Sequence, residues 1–466
     1  MAVVALLTME RLRTGVTYTP LGAQYWADPY PMYRPLQSRD PIHRSLLTKS
    51  WVVSRYDDVT AVLADSRFVV DERKLPTYER QRAEMIENGL MGEDEAATPS
   101  LLGLDPPDHT RLRSLVSKAF TPRAVEALRA SVEAIVQECL DAVAVAGEMD
   151  VIRDLAYPLP VTVISQMLGV PAAERERFTH WSDALVRAIG YAGIDELRQS
   201  REALRQFGAW LQDLAEERRR SPGDDLMSAL LAAEEEGDKL SREEVLLTCR
   251  LLLNAGHVTT THLIGNGLLA LLRHPDQLNA LRHDRSLIEG AVEELLRYDT
   301  PVQATSRFAT EDVEMRGRKI EVGQRVILLL AAANRDPDQF SDPDRLDINR
   351  KNHHHLSFGH GIHTCLGAPL ARLEAEVALA AIIDRFPKLR LATDRVQWGD
   401  HMFLRGMKRL PVAFESPGAR VLQCLRHGEQ ACRRPRLRCG QPAQRRPRGR
   451  ARRLPAGGVG RPARAR

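Results

Sequence analysis

The chain has 466 residues, of which 43% are hydrophobic and 27% are charged, and its mean hydropathy is −0.32. This length and composition fit a globular protein with a large core, and they exclude a small disulfide-stapled scaffold or a wholly disordered chain. The net charge of +4 is unevenly distributed. Residues 418–466 carry +14, with 15 Arg, no Lys and the single acid Glu429, so residues 1–417 carry −10.

The N-terminal residues resemble neither a membrane anchor nor a secretion signal. The apolar run of residues 2–7 ends before Glu10, Arg11 and Arg13, far short of the roughly 20 apolar residues that span a bilayer. A basic n-region and a small-residue cleavage site are also missing. Six cysteines lack paired spacing in the body of the chain, which argues against a disulfide framework. We therefore expect a cytoplasmic protein that binds no membrane, with residues 1–27 as an N-terminal extension.

Short strands are predicted early in the chain and helices later. Trp51–Ser54 and Arg67–Val70 are predicted strands. Further along, Ser241 to Glu244 form a capping-box signature, and apolar or small residues recur behind it at helical spacing as far as position 271. The pattern predicts one long buried helix over 241–273, roughly 50 Å long at 1.5 Å per residue. Gly256 in its middle costs up to about 1 kcal/mol relative to Ala, so we expect a ligand to approach there, the alternative being that Gly256 and Thr259 are ordinary packing residues of a core helix.

A second capping-box signature begins another predicted helix at Ser286, with Glu289 three residues later. Near the end of this helix, Glu294 and Arg297 are three residues apart and therefore share one face. Such a pair is common on exposed helix surfaces, and its spacing alone does not indicate a function.

The segment from Phe358 to Gly367 places one cysteine, Cys365, in a glycine-rich turn before a predicted helix over Leu366–Phe386. At a helix N-terminus, amide N–H groups and the helix dipole favour a negatively charged sulfur. The glycines allow the backbone to approach a flat ligand closely. The turn therefore predicts a thiolate metal ligand. Zinc is disfavoured because no second cysteine lies nearby with paired ligand spacing, despite five histidines at positions 353, 354, 355, 360 and 363.

The segment after position 416 differs in composition from the rest of the chain. Arg, Gly, Ala and Pro make up most of it, and almost no apolar periodicity is present, so residues 417–466 are predicted to be disordered. Basic tails can bind nucleic acid, but this one has no Lys and no interleaved aromatic residues, and we expect no nucleic-acid partner. We favour out-of-frame translation of GC-rich coding sequence as the explanation for the unusual composition of this segment.

The cysteine turn resembles the haem-binding loop of cytochromes P450 over ten positions, and the resemblance to bacterial class I members continues from Asp28 to Phe414. It implies a mainly α prism-shaped domain with a small β region, here over residues 28–416. It also implies that Cys365 is the axial ligand of haem b. The loop residues implied to surround the haem with it are Phe358, Gly359 and Gly367.

Other motifs follow in the family's order. Glu294 and Arg297 match its ExxR motif, and Arg345 aligns with the arginine that completes the buried Glu–Arg–Arg network supporting the haem loop. The haem propionates are anionic and need cationic or hydrogen-bonding partners when buried. The residues at the corresponding family positions are His109, Arg113, Arg307 and His363.

The middle of the long helix, residues 255–260, is similar to the oxygen-binding segment of the family. The implied catalytic positions include Ala255, Gly256 and Thr259. Where the family usually has Asp or Glu, this chain has Val258, which cannot relay protons. We therefore expect weakened proton delivery, or delivery rerouted through His257, His262, water or a substrate hydroxyl.

By analogy with the family, the substrate pocket is lined by a mostly apolar set of residues. This lining suits a medium-sized organic molecule, and an intermediate of secondary metabolism is the expected kind. The candidates are Met85, Ile86, Leu90, Met91, Phe178, Trp181, Leu185, Val302, Ala304, Thr305, Phe403 and Leu404.

The resemblance implies a monooxygenase that uses O2 and external electrons. No flavin or iron–sulfur motif is present, so a separate ferredoxin and its reductase are the expected donors, and a monomer is expected. Candidate docking charges are Arg111, Lys118, Arg123 and Arg372, which could equally form an ordinary solvated face. Two alternatives stay open: oxidative coupling, ring formation or isomerisation without oxygen insertion, and a noncatalytic haem-binding module.

Overall fold

The computed structural model describes residues 2–89, 99–175, 177, 181, 194–235 and 240–415. This part of the chain is mainly helical, with small sheets, as predicted. The helices are α1 Ala2–Thr14, α2 Ala23–Ala27, α3 Tyr30–Arg39, α4 Tyr56–Ala64, α5 Tyr78–Glu87, α6 Asp108–Val116, α7 Pro122–Glu126, α8 Arg129–Val143, α9 Pro158–Met167, α10 Ile194–Arg220, α11 Leu226–Glu235, α12 Arg242–Arg273, α13 Pro275–His283, α14 Ile288–Tyr298, α15 Leu330–Ala333 and α16 Ala368–Arg385.

Shorter helical turns connect several of these helices. They are the 3-10 turns Glu72–Lys74, Leu101–Gly103, Ser117–Phe120, Ala172–Glu174, Arg285–Leu287 and Gly361–His363, and the π-turn Ile152–Ala156. The strands are β1 Ile42–Ser45, β2 Ser50–Val53, β3 Phe68–Val69, β4 Glu148–Asp150, β5 Thr305–Ala309, β6 Val313–Met315, β7 Arg318–Ile320, β8 Arg325–Leu328, β9 Arg390–Leu391, β10 Gln397–Trp398, β11 Met407–Arg409 and β12 Pro411–Ala413.

The long predicted helix is confirmed as α12. Ser241 caps it, since its hydroxyl accepts the Glu244 N–H while the Glu244 side chain accepts the Ser241 N–H, so both halves of the capping box are present. The helix is buried along most of its length and packs against α9, α10, α11, α14 and α16. It therefore forms the centre of the main hydrophobic core.

The largest sheet has the strand order β1-β2-β8-β5-β3. The β2–β8 pair is parallel, with Val52 opposite Ile327, and the other pairs are antiparallel. Both predicted early strands are confirmed, as β2 and β3. Because side chains alternate between the two faces of a strand, this sheet separates two apolar clusters.

Two predicted helix starts need correction. The box predicted at Ser286 does not form: the Ser286 hydroxyl donates to Asp284, and α14 begins at Ile288 without a side-chain cap. The helix predicted from Leu366 begins at Ala368, because residues 361–363 form a 3-10 turn and Gly367 occupies the N-cap. No helix among the described residues is long and apolar enough to cross a membrane. The predicted tail, 417–466, lies outside the described residues.

Candidate active site

Cys365 lies in a tight turn at the start of α16. Its N–H donates to Phe358 O at 2.8 Å, which closes the loop. Gly359 and Gly361 adopt φ values of 72° and 74°. A Cβ at Gly361 would stand 2.7 Å from Leu63 O, so only glycine fits that position.

The Cys365 sulfur is held in a setting suited to a thiolate. Burial raises the pKa of the Cys365 thiol, while hydrogen bonds from the Gly367 and Ala368 N–H groups and the charges of Arg113 and Arg372 oppose that rise. Amide donors at a helix N-terminus stabilise negative sulfur. These donors and cations are of the kind that stabilise a negative sulfur, and metal ligation at Cys365 stays a prediction.

Two histidines and an arginine gather beside this turn. Arg113 Nη2 donates to Thr364 O at 2.5 Å, and the rings of His109 and His363 lie 4.3 Å apart. Burial, followed by the charges of His363 and Arg113, lowers the pKa of His109 to about 4. The Nε2 atoms of both histidines are buried and have no hydrogen-bond partner among the described residues. A buried imidazole nitrogen without a hydrogen-bond partner costs folding free energy. The two nitrogens therefore fit a bound group that carries carboxylate oxygens.

Arg307 is buried near the same place. Burial lowers its pKa, and the charge of Asp105 opposes that shift. The Asp105 carboxylate accepts the N–H groups of Val70 and Asp71 and lies 3.9 Å from His363 Nε2, which is too far for a hydrogen bond. Of the four predicted propionate partners, His109, Arg307 and His363 therefore lie within the electrostatic influence of Asp105.

In α12, Ala255 and Thr259 share a face, and the Thr259 hydroxyl donates to Ala255 O at 3.2 Å. Ala255 is exposed, while Val258 and Thr259 are half-buried. A Cβ at Gly256 would stand 3.0 Å from Ile164 Cγ1, so tight packing against α9 also accounts for this glycine, and ligand approach there stays a prediction.

Of the two histidines considered for proton delivery, His257 lies apart from that face, whereas His262, three residues after Thr259, follows it along the same side of the helix. His257 is buried, its Nδ1 lies 2.8 Å from Leu253 O, and its ring packs edge-on against Tyr157. Burial lowers the pKa of His257 and of His262 to about 4, so both are neutral near pH 7. Since His257 is two residues from Ala255 and Thr259, it projects to the other side of the helix. The structure gives no support to rerouting through His257.

The Glu294–Arg297 pair is buried and takes a different third partner from the predicted one. Arg297 binds both Glu294 oxygens, at 2.7 and 2.8 Å. Arg350 Nε donates to Glu294 Oε2 at 3.0 Å. Arg345 is exposed and contributes only its carbonyl oxygen, to Arg297 Nη2. The prediction of Arg345 is therefore wrong, and Arg350 takes that role.

Sequence reasoning missed the link from this network to the cysteine turn. Arg297 donates to Asn334 O, and Asn334 Nδ2 donates to the Ser357 hydroxyl at 2.8 Å. That hydroxyl in turn donates to Leu296 O. In the sequence, Asn334 stands out only as a single amide side chain after the apolar run of residues 326–333. That position does not identify its hydrogen-bond partners.

The predicted docking charges differ in their surroundings. Arg111 forms a two-point ion pair with Glu244 of the α12 capping box. Arg372 forms another with Glu293. Lys118 and Arg123 are exposed.

Several predicted pocket residues come together, whereas others do not. Val302 and Leu404 form a β-bridge, and Gln303 N donates to Phe403 O at 2.8 Å. Thr305 and Ile86 are half-buried and Met85 is exposed. Leu90, Met91, Phe178 and Leu185 lie outside the described residues.

Two of the predicted pocket residues are buried in apolar clusters. Trp181 is buried, stacks on Phe207 with ring centroids 5.5 Å apart, and also contacts Trp210. It therefore packs in the core against α10, and its role as a pocket roof stays a prediction. Ala304 is likewise buried in the apolar cluster that contains Val52 and Ile327.

Comparison with known proteins identifies the family. The family model described as cytochrome P450 matches residues 47–394, and the chain belongs to the cytochrome P450 family. It is a cytochrome P450 monooxygenase, and the family implies a haem-thiolate cofactor, O2, an organic substrate and redox partners.

Particular relatives cover nearly the whole described chain. Cytochrome P450 CYP107DY1 of Priestia megaterium is 46% identical over 374 residues, covering 79% of this chain and 90% of the relative. The monooxygenase PikC of Streptomyces venezuelae is 43% identical over 420 residues, covering 87% and 97%. The solved structure of PksS, the bacillaene polyketide synthase cytochrome P450 of Bacillus subtilis 168, has a TM-score of 0.78 and 39% identity, covering 86% of this chain and all of that one.

Proposed function

We propose that the protein binds haem b through the Cys365 thiolate and inserts one oxygen atom of O2 into a medium-sized, mostly apolar organic substrate. The observation that carries this proposal is the cysteine turn. There, a sulfur held by two helix N-terminal amides lies beside Arg113, whose neighbours His109 and His363 have buried, unpartnered Nε2 atoms. That donor set fits iron at the sulfur and carboxylates at the imidazoles.

The protein residues have distinct proposed roles. Gly367 and Ala368 hold the sulfur negative, while Phe358 and Gly359 shape the loop. The carboxylates of the cofactor are held by His109, Arg113, Arg307 and His363. When bound, haem supplies O2 activation, in which two electrons and two protons convert one oxygen atom to water while the other enters a substrate C–H bond.

The face of α12 that carries Ala255 and Thr259 borders the proposed O2 site. The Thr259 hydroxyl is fixed by its bond to Ala255 O, and the neighbouring Val258 side chain can neither donate nor accept a proton. Protons for the reaction therefore have to arrive by water or substrate rather than through a side-chain acid.

Electrons are proposed to come from a separate ferredoxin and reductase, because the sequence holds no flavin or iron–sulfur motif. Lys118 and Arg123 are the proposed docking charges, since they are exposed. Secondary metabolism is the proposed setting because one relative is the polyketide biosynthesis cytochrome P450 PksS of Bacillus subtilis, 40% identical to this chain.

A second function, coupling or ring formation without oxygen insertion, is favoured by one observation, the replacement of the usual acid by Val258. Turnover of candidate substrates under 18O2, with a ferredoxin and reductase supplied, separates the two. One 18O atom per product supports the monooxygenase. Product without 18O supports the second function, and absence of turnover with every donor supports a noncatalytic haem protein.

A further inference from the structure

Arg325 at the start of β8 is a cation that the proposed reaction does not use. Its side chain is half-buried. Its guanidinium lies 5.7 Å from the centre of the Phe403 ring, and Phe403 is one of the proposed pocket residues. A charged group beside an otherwise apolar lining is costly unless it has a partner.

The register of the sheet separates Arg325 from the haem-carboxylate partners. Arg325 pairs with Phe308, whereas Arg307 pairs with Val326. Because adjacent residues in a strand point to opposite faces, Arg325 and Arg307 lie on opposite faces of the sheet. Arg325 therefore does not belong to the cluster around His363 and Asp105.

The hydrogen bonds of Arg325 leave the Nε of its guanidinium without a hydrogen-bond partner among the described residues. Nη2 donates to the Ser306 hydroxyl at 3.2 Å, whereas Nε is buried. The Nε–H and the second N–H of Nη2 lie on the same edge, and that pair of donors matches the two oxygens of a carboxylate.

Two groups from the segment before α5 lie near the start of β8. Burial raises the pKa of Glu72, and the charge of Arg325 opposes that rise. Thr77, which immediately precedes α5, has a buried hydroxyl without a partner among the described residues. The Thr77 methyl group lies 4.0 Å from the position that a Cβ at Gly323 would occupy, two residues before Arg325.

Building on the proposed monooxygenase function, we infer that Arg325 binds a carboxylate of an otherwise apolar substrate, with Ser306 orienting the guanidinium and Phe403 packing below it. The substrate class is thus an organic acid oxidised at a carbon distant from its carboxylate. A phosphate would also be attracted to the positive charge of Arg325. The two coplanar N–H donors of the guanidinium, however, are best matched by the two oxygens of a carboxylate.

The test compares labelled myristate with methyl myristate in equilibrium dialysis against the full-length haem protein. These probes share one chain and differ in charge. Wild type is expected to bind the acid at least about tenfold more tightly than the ester, about 1.4 kcal/mol. Arg325→Met should abolish that preference by weakening acid binding alone, and Arg325→Lys should retain part of it. Inorganic phosphate should compete poorly with myristate.

Arg325→Gln tests the same point without an apolar replacement, in case Arg325→Met folds poorly. Arg390→Met is the matched control, because it removes an equal charge from an exposed position on β9 and should leave the acid preference unchanged. Equal binding of acid and ester by wild type, no binding of either, or an unchanged preference in Arg325→Gln would each overturn the inference. The CO spectrum of each variant reports separately on Cys365, so failure of the proposed haem site is distinguishable.

Discussion

The sulfur of Cys365 accepts two amide hydrogen bonds, and no other cysteine among the described residues lies in such a turn. We expect Cys365→Ala to lose the long-wavelength Soret band of the reduced CO complex, because thiolate ligation produces that band. Cys139→Ala is the control, since this half-buried thiol belongs to α8. A wild-type protein without the band, or a Cys365→Ala variant that keeps it, would contradict the assignment.

Val258 occupies the position at which the family resemblance predicts an acid, and it directly precedes Thr259 in sequence. Val258→Glu is expected to raise coupling, the product formed per NAD(P)H consumed, severalfold, and to lower peroxide release, because the new carboxyl can relay protons. Thr259→Ala is expected to lower coupling. Val258→Leu, which adds no acid, is the control. Unchanged coupling in the Glu and Ala variants would show that this face of α12 carries no proton path.

Arg345 and Arg350 provide a matched pair for testing the buried network. Arg350→Gln should destabilise the protein by about 2 kcal/mol, because it removes a charged hydrogen bond from the buried Glu294 carboxylate. Arg345→Gln changes an exposed side chain and should fall within about 0.5 kcal/mol of wild type. Denaturant unfolding measures both. Equal losses in the two variants would be inconsistent with the geometry.

Among the elements, α1 is held to the β1–β2 hairpin by one buried carboxylate. Glu10 accepts the N–H groups of Tyr18, Leu46 and Leu47 and the Ser45 hydroxyl. His43 joins it to Asp40, with His43 Nε2 3.4 Å from Glu10 and Nδ1 2.9 Å from Asp40. The N-terminal helix is therefore attached by a polar cluster as well as by apolar packing.

This cluster makes stability depend on pH. Burial would lower the pKa of His43, but hydrogen bonds to Asp40 and Glu10 outweigh it and raise the pKa above 6.5. A raised pKa means that the stabilisation is complete below 6.5 and disappears as pH rises through the folded-state value. His43→Gln should therefore cost about 1–2 kcal/mol more at pH 6 than at pH 9. Melting temperatures at both pH values test this, and a difference independent of pH would exclude it.

For the whole molecule, the composition break after residue 416 leads to a prediction about the tail. Truncation after Pro417 should leave the melting temperature, haem content and turnover unchanged, because residues 418–466 lack the apolar pattern that packs on a core. Truncation after Lys408 is the contrasting variant, since it removes β12, which pairs with β4 and β9. A lower melting temperature after the first truncation would show that the tail packs on the body.

The sequence predicted those parts of the fold and the site whose residues all lie in one continuous segment. The turn around Cys365 and the capped helix α12 are continuous in sequence, so spacing and glycine content indicated both. The third partner of Glu294 was not predictable in this way. Arg345 and Arg350 lie five residues apart in one irregular segment, and only the tertiary path of that segment brings Arg350 to the carboxylate.

Contacts between distant segments were also beyond the sequence. Ile164, from another helix, fills the space in front of Gly256, and no local rule identifies that neighbour. Trp181 is predicted to line the pocket by analogy with the family, and its contacts with Phe207 and Trp210 were not predictable from its own segment. Such partners are set by how helices pack, which periodicity alone does not determine.

The bond from the Thr259 hydroxyl to Ala255 O also fixes the polarity of that hydroxyl. A hydroxyl has one hydrogen, and here the backbone carbonyl takes it. Thr259 therefore presents lone pairs to whatever binds beside it, so a neighbouring water or substrate group is oriented with its own hydrogen toward the threonine. In this arrangement Thr259 accepts hydrogen bonds from neighbouring donors. Its hydroxyl can donate a hydrogen bond to a neighbouring group only after its own bond to Ala255 O breaks.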